Sequence, residues 1–377
     1  MTNTEKSNKS FVLGLLFLIN ISIGLGLIGA YLSTHISPNT IPYLSFLGLA
    51  YPVLIWTLAG FSFLWLFTRF KYFLFNVLIF LIGFNHFSDF YSFNNSTSIH
   101  SGNALKILSY NVKIFNAYGK KNKFKTRDNI LNFIKKEDAD IYCFQEFYHQ
   151  QSPSKFKTRD TMLTVLKTKN YHERYTHEMT GKQFFGLATF TSYPILNKGR
   201  VAFQNDKKNY CIYTDILKET DTIRIFNAHI GSIRLSGDDL TVFENIKNES
   251  IDKKEKQIKG IVGRLKIAFE KRAIQIEKIM FEVKNSPYPT ILCGDFNDTP
   301  VSYCYKQITN QLKDAFIETA NGTGKTYIGK IPSNRIDYIF HSETLIPYEF
   351  KVHNVDFSDH KPISSYLEVK KKRSLNK

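Results

Sequence analysis

Apolar and polar positions divide this chain into two unlike parts. Up to about residue 90, Phe, Leu and Ile dominate and charges are few; from Lys106 onward, short apolar runs alternate with Lys-rich stretches. Three early runs are long, at 11–32, 41–67 and 72–88. About 20 apolar residues cross a bilayer, so the first two qualify as transmembrane helices. The third is shorter, and a re-entrant or interfacial segment stays open for it. The first run follows Lys6 and Lys9, as the core of a signal peptide would. It is longer than such a core, and no small-x-small cleavage pattern follows, so it reads as a retained helix. Residues 1–100 are thus expected to form a membrane anchor of about three helices, and 101–377 a separate domain.

Beyond residue 101 the periodicity becomes that of a mixed α/β domain. "ALKILSYNV" (104–112), "DIYCFQE" (140–146), "GLATFTSYPI" (186–195), "NYCIYTDIL" (209–217), "DTIRIFNAHI" (221–230) and "ISSYLEV" (363–369) read as strands. "DNILNFIKKED" (128–138) has helical spacing, and so do the apolar positions from Ile258 to Val283. Residues 236–257 are charged and patternless, an expected inserted loop or lid, and the Lys-rich 253–259 run should be a solvated loop. This order of elements predicts an α/β or α+β sheet sandwich.

Several of these strands end in groups capable of chemistry: Asn111, Glu146, His229, and Asp295 with Asn297 in "ILCGDFNDTP". Residues two apart on a strand share a face, so Asp295 and Asn297 should project together. "NRIDYIF" (334–340) places Asp337 inside an apolar strand, and "FSDHKPI" (357–363) adds Asp359 and His360. Any one of these could be a turn residue or a hydrogen-bonded core group. Burying an unpaired acid is costly, however, so strand ends repeatedly bearing acids, amides and histidines point to one site at the rim of the sandwich. "GTGKT" (322–326) lacks the first glycine of a phosphate-binding loop, which would stand where Thr319 does, and no helical pattern follows it. His172 and His177 lack metal-ligand partners in the sequence and read as surface histidines.

Taken in order, "SYNV", "QE", "NAHI", "GDFND", "RIDYIF" and "SDHKPI" resemble the endonuclease/exonuclease/phosphatase superfamily over roughly residues 104–370. The family includes AP endonucleases, pancreatic-type deoxyribonuclease, neutral sphingomyelinases and inositol polyphosphate 5-phosphatases. The resemblance implies a four-layered α/β sandwich, two packed mixed sheets flanked by helices, and Mg²⁺-dependent phosphoester hydrolysis, with Mn²⁺ or Ca²⁺ as alternative ions. It implies Glu146 as the main metal ligand, assisted by Asn111, with Asp359 as a further contact. Asp295 then matches the residue that orients or deprotonates water, and Asn297 the one that hydrogen-bonds phosphate. His360 matches the histidine on the phosphoryl group and Asp337 its carboxylate partner. His229 matches a second histidine of the deoxyribonuclease and sphingomyelinase branches. Thr326 fits a substrate-binding threonine ahead of the "RIDYIF" strand. A tyrosine used by some members has no evident counterpart. The 5-phosphatase branch usually shows Trp-Cys-Asp-Arg where this chain has Ser333-Asn334-Arg335-Ile336-Asp337, which argues against inositol phosphates.

Charge then narrows the partners. The chain carries +17; residues 1–100 hold four basic and two acidic residues, or +2, which leaves +15 for the remainder. Such a surface suits nucleic acid or phospholipid headgroups. Lys6, Lys9, Arg69 and Lys71 alternate with uncharged loops, so three spans would place 101–377 outside the cytoplasm. With extracytoplasmic placement, genomic repair is implausible. Of four cysteines, Cys143 and Cys293 lie in apolar runs and read as core, and nothing in the spacing argues for a Cys211–Cys304 bridge. The expected function is a membrane-anchored, metal-dependent phosphodiesterase. The alternative is a non-catalytic membrane-tethered module that binds polyanions. No protein partner is expected.

Overall fold

The computed structural model describes residues 3–94, 102–119, 121–151, 154, 156–179, 182–204, 206, 209–233, 251–329 and 335–370. It comprises two compact units, Met1–Phe90 with Thr299–Lys306, and Tyr91–Asp298 with Gln307–Lys377.

The first unit is helical: α1 (Asn3–Ser33), α2 (Leu44–Leu49), α3 (Tyr51–Thr68), α4 (Phe70–Ile82) and α5 (Phe84–Phe90). Two stretches, Ser10–Ser33 and Tyr51–Thr68, are long and apolar enough to cross a membrane, with mean hydropathies of 2.5 and 1.5. The 41–67 run is therefore not one helix. It breaks at Ala50, and Pro52 enters the first turn of α3, where its missing N–H costs no helical bond. The expected 72–88 span is likewise a pair, α4 and α5, bent by 63°. Gly83 sits at the bend, where a Cβ would lie 1.9 Å from the Tyr31 ring. Inside this apolar unit Asn20 and Asn76 exchange hydrogen bonds of 2.8 and 3.0 Å, and Trp65 Nε1 donates to Asn20 Oδ1 at 3.3 Å. Interhelical polar pairs of this kind tie neighbouring helices together.

In the second unit, one six-stranded sheet runs in the order β13 (Leu345–Val352), β14 (Ile363–Val369), β2 (Leu105–Asn111), β3 (Ile141–Gln150), β5 (Gln183–Thr191), β4 (Asn170–Met179). The other runs β10 (Lys313–Asp314), β12 (Asp337–His341), β9 (Thr290–Asp295), β8 (Asp221–His229), β7 (Tyr210–Lys218), β6 (Ile195–Val201). A small pair, β1 (Ser92–Phe93) and β11 (Asn321–Gly322), stands apart from both. Both large sheets are mixed. β2 and β3 are parallel, as are β8 and β9. A parallel pair needs a crossover, and α6 (Lys123–Glu137) lies between β2 and β3 while α8 (Ile251–Lys284) lies between β8 and β9; the short α7 (Thr158–Val165) lies between β3 and β4. Ile107, Ile141 and Cys143 of one sheet meet Ile225, Ile291, Cys293 and Ile339 of the other in the central core. Ile130 and Ile134 of α6 pack on Tyr110 and Phe144 of the outer face. The apolar stripe of α8, including Ala273, Ile276 and Ile279, is buried too. This is the four-layered sandwich expected.

Some expected boundaries shift. α8 begins at Ile251, so 251–257 and the Lys-rich 253–259 run are helix, not loop; the rest of the expected insertion, 236–250, lies outside the described residues. Charged side chains one turn apart, such as Lys259 and Glu255 at 2.6 Å, favour helix beyond the apolar stripe. The 186–195 stretch is the end of one strand and the first residue of the next, separated around Pro194. β3 continues past Glu146 to Gln150, and Asp337 opens β12 instead of lying inside it. His172 is no surface histidine: its Nδ1 lies 3.0 Å from Thr214 Oγ1, and burial pushes the imidazole down to about 4. The side chain of His177 lies outside the described residues. All four cysteines are buried thiols, with no disulfide between them.

One polar seam crosses the apolar core between the sheets. Gln145 Nε2 of β3 donates to Asn227 Oδ1 of β8 at 2.8 Å, and Asn227 Nδ2 donates to Ala188 O of β5 at 3.1 Å. Asn227→Ala should strand buried donors and acceptors and cost roughly 1–3 kcal/mol. Thermal unfolding of the full chain checks this, and an unchanged midpoint would contradict it.

Candidate active site

The seam lies next to the rim where the sequence-predicted residues meet. Ladder register sets three of them side by side: His229 opposite Asp295 across the parallel pair, and Asp337 opposite Asp295 across the antiparallel one. Gly294 makes that approach possible. Its φ is +141°, and a Cβ would lie 1.9 Å from Ala228 O, so no side chain fits.

The strand stops at Asp295, and Asn297 does not share its face. Asn297 has φ +51°, a left-handed conformation that Asn tolerates, and its backbone N–H donates to Asp295 Oδ1 at 2.9 Å. Its side-chain Nδ2 donates to Ile230 O at 3.1 Å. The expectation of alternating strand geometry fails because this Asx turn ends the strand.

From the facing sheet, β2 ends at Asn111, and β3 carries Glu146 on a bulge. The β3–β5 register shifts between Phe144 and Phe147, and Glu146 itself has φ +50°. A bulge re-aims one side chain out of the alternation, and this one brings Glu146 to the rim, 37% exposed. Asn111 Nδ2 donates to Asp295 Oδ2 at 2.9 Å and reaches Glu146 Oε1 at 3.5 Å. Its Oδ1 accepts from Lys113 N at 3.0 Å. Oxygen ligation of a cation by Asn111 therefore requires the amide to turn over.

His360 lies between two acids. Its Nδ1 is 2.9 Å from Asp337 Oδ2 and its Nε2 is 3.6 Å from Asp295 Oδ2. Burial alone would push the imidazole down, but the carboxylates of Asp337 and Asp295 outweigh it and carry the group up to about 10. Burial lifts the Asp295 carboxyl above its ordinary range, with His360 opposing. His229 Nε2 lies 3.7 Å from Asp295 Oδ2 and 3.9 Å from Glu146 Oε1, is buried, and has no hydrogen-bond partner among the described residues. Thr326, expected at the substrate, is instead fully buried behind Asp337. Its Oγ1 accepts from Ile336 N at 3.1 Å and Asp337 N at 3.2 Å, which fixes the start of β12.

Two groupings could hold a cation. Asp295, Asp337 and His360 have ligand atoms within 4.8 Å of one another. The imidazolium of His360 already offsets one of the two carboxylates, however, and it has no lone pair to offer. Glu146 fits a hard divalent ion better, because such ions prefer carboxylate oxygens and keep several waters. It is partly open to solvent, and among the described residues no Lys or Arg pairs with it. Asp359, the further ligand expected, has Lys113 Nζ at 2.6 Å from its Oδ2.

Two site residues escaped sequence reasoning. Tyr327 bridges to His360 and sets its ring edge-on to the imidazole, with centroids 5.2 Å apart. Burial raises its phenol, and the charges of Asp359, Asp295 and Glu146 add to that. Its adjacency to Thr326 was the available signal. Lys113 opens a turn, Lys113–Asn116, in which all four residues have positive φ. None is glycine, so composition gave no hint.

Residues 108–360 match the endonuclease/exonuclease/phosphatase family, and residues 13–90 match a family described as a domain of unknown function. A search of curated proteins found no match. Among solved structures, a family protein from Leptotrichia buccalis is similar at 20% identity and TM-score 0.50, over 71% of this chain and all of that one. The human nocturnin catalytic domain with bound sulfate is similar at 16% identity and TM-score 0.50, over 72% of this chain and 96% of that one. An endonuclease/exonuclease/phosphatase from Bacteroides vulgatus reaches 17% identity and TM-score 0.49, over 71% and 99%. With a family match across most of its length and a rim built from that family's motifs, the chain belongs to the endonuclease/exonuclease/phosphatase family.

Proposed function

We propose that this protein is a membrane-anchored, metal-dependent phosphodiesterase that hydrolyses nucleic acid or a phospholipid headgroup. Members of its family are generally hydrolases of phosphoester bonds. The observation that carries the reading is the buried Asp295 carboxylate, within 3.7 Å of two histidine Nε2 atoms and 2.9 Å of an asparagine amide. A structural acid needs one good partner. An acid with a lifted pKa and several donors around it suits proton transfer.

Glu146 would hold the cation, with Asn111 beside it, and the ion would neutralise a phosphate oxygen and assist the leaving group. The chain's own residues do the rest. Asp295 accepts the proton of the attacking water, and Asn111 orients it. Asp337 keeps His360 cationic, and that imidazolium faces a phosphoryl oxygen. His229 Nε2, without a hydrogen-bond partner among the described residues, donates to a second oxygen. Tyr327 limits how His360 can turn. Asn297, tied to Ile230 O, contributes to phosphate binding by way of its loop.

The anchor is the helical unit. With α4 and α5 counted as one bent span there would be three crossings, a number that with the pattern of basic residues supports a catalytic unit outside the cytoplasm. A net +15 on that part favours anionic substrates there. A reporter enzyme fused after Leu105 should be active only outside the cytoplasm; cytoplasmic activity would reverse the orientation.

Full-length protein with Mg²⁺ should hydrolyse at least one of DNA, RNA and sphingomyelin, and EDTA should stop it. Tight binding without turnover in every case would favour the polyanion-binding module. Glu146→Ala should abolish metal-dependent turnover with the fold intact, and should lower Mn²⁺ affinity measured by titration. His360→Ala should cost about 10²–10⁴-fold in kcat; a loss below about tenfold would remove the histidine from the chemistry.

A further inference from the structure

Helix α8 sends two polar side chains inward along its apolar stripe. Arg272 is 1% exposed and Gln275 3%. Arg272 Nη1 donates to Gly231 O at 3.0 Å, and its Nε donates to Asp298 Oδ2 at 3.1 Å. Gln275 Oε1 accepts from Gly231 N at 2.8 Å, while its Nε2 donates to Asp206 Oδ2 at 3.0 Å. Gly231 follows His229 by two residues, and Asp298 follows Asp295 by three.

The two side chains thus grip the chain just past both site residues. The β8–β9 ladder ends on the His229–Asp295 pair. Beyond it, strand pairing no longer fixes the two loops; Ile230 N donates to Asp295 O at 3.2 Å and Asn297 Nδ2 to Ile230 O at 3.1 Å between them. A buried guanidinium is costly unless fully partnered, whereas Ile276 and Ile279 show that aliphatic residues fill this face. The planar fork does what an aliphatic chain cannot: it bonds two loops at once in fixed directions.

We propose that Arg272 and Gln275 are positioning residues that set the placement of His229 relative to Asp295; this rests on the hydrolase reading above. Neither touches the reacting atoms. Their contribution is geometric, and a misplacement of about 1 Å costs roughly 10²-fold in rate.

The test uses the full chain in detergent, with Arg272→Lys, which keeps the charge and loses the fork, and Gln275→Met, which keeps the shape and loses the Gly231 bond. Hydrolysis with Mg²⁺ is measured together with the imidazole resonances of ¹⁵N-histidine-labelled protein, those of His229 assigned from His229→Gln. In both variants kcat should fall about tenfold to a hundredfold with KM within about threefold. The His229 resonances should shift, while those of His172 on β4 and His353 just past β13 should stay. Unchanged kcat and unchanged His229 signals in either folded variant would overturn the proposal. So would loss of the His172 and His353 signals in both variants, since that assigns the pair to stability alone. An inactive wild type would sink the hydrolase reading, yet the His229 signals would still decide whether the clamp sets that ring.

Discussion

A carboxylate buried to 1% exposure at the meeting of two sheets is the constraint on which this rim depends. Water cannot solvate Asp295, so the protein must. Asn111 comes from the facing sheet, His229 from a neighbouring strand, His360 from the segment before β14, and the Asn297 N–H from the turn beyond, while the Asp337 carboxylate on the other neighbouring strand opposes the charge. Each partner fixes the end of one element. Satisfying one charge therefore aligns four pieces of backbone, while burial and the Asp337 carboxylate hold the Asp295 pKa above its ordinary range.

The sandwich makes that convergence possible. Parallel pairing of β2 with β3 and of β8 with β9 sends the ends of these strands to one edge, because each crossover helix returns the chain to its starting side. Asn227 and Gln145 then link the sheets by a hydrogen bond where an apolar core alone would allow sliding. Glu146 arrives by a different device, since regular alternation would not deliver it; the bulge turns it toward the rim. Order in the core and irregularity at the edge thus serve the same site.

Charge at the edge is also graded. His360 sits between acids and stays cationic to about pH 10, Asp359 has Lys113 close by, and Glu146 stays partly open to solvent. A divalent ion is favoured where negative charge is least compensated, which singles out Glu146 among the rim acids. Substrate anions, by contrast, are favoured beside His360 and the histidine opposite. The separation of these two preferences is what the proposed phosphoester hydrolysis would require, with a cation on one side and donors on the other.

The sequence alone determined the layer architecture, the strands that carry the motifs, and the identity of the acids, amides and histidines. Periodicity and strand-end chemistry are local properties, and these were legible. It missed the extent of α8 because charged i,i+4 pairs leave no apolar stripe to count, and it missed the turn at Asn297 because both an Asx turn and a strand can follow "GD". The break in the 41–67 run hinged on a proline whose position in the first turn only the backbone reveals. Tertiary structure decided which groups share the Asp295 charge, that Thr326 supports Asp337 from behind, that Lys113 reaches Asp359, and that Arg272 ties two loops together. Those are contacts between residues 11 to 246 positions apart, and distance through space is the one quantity a single chain of letters does not encode locally.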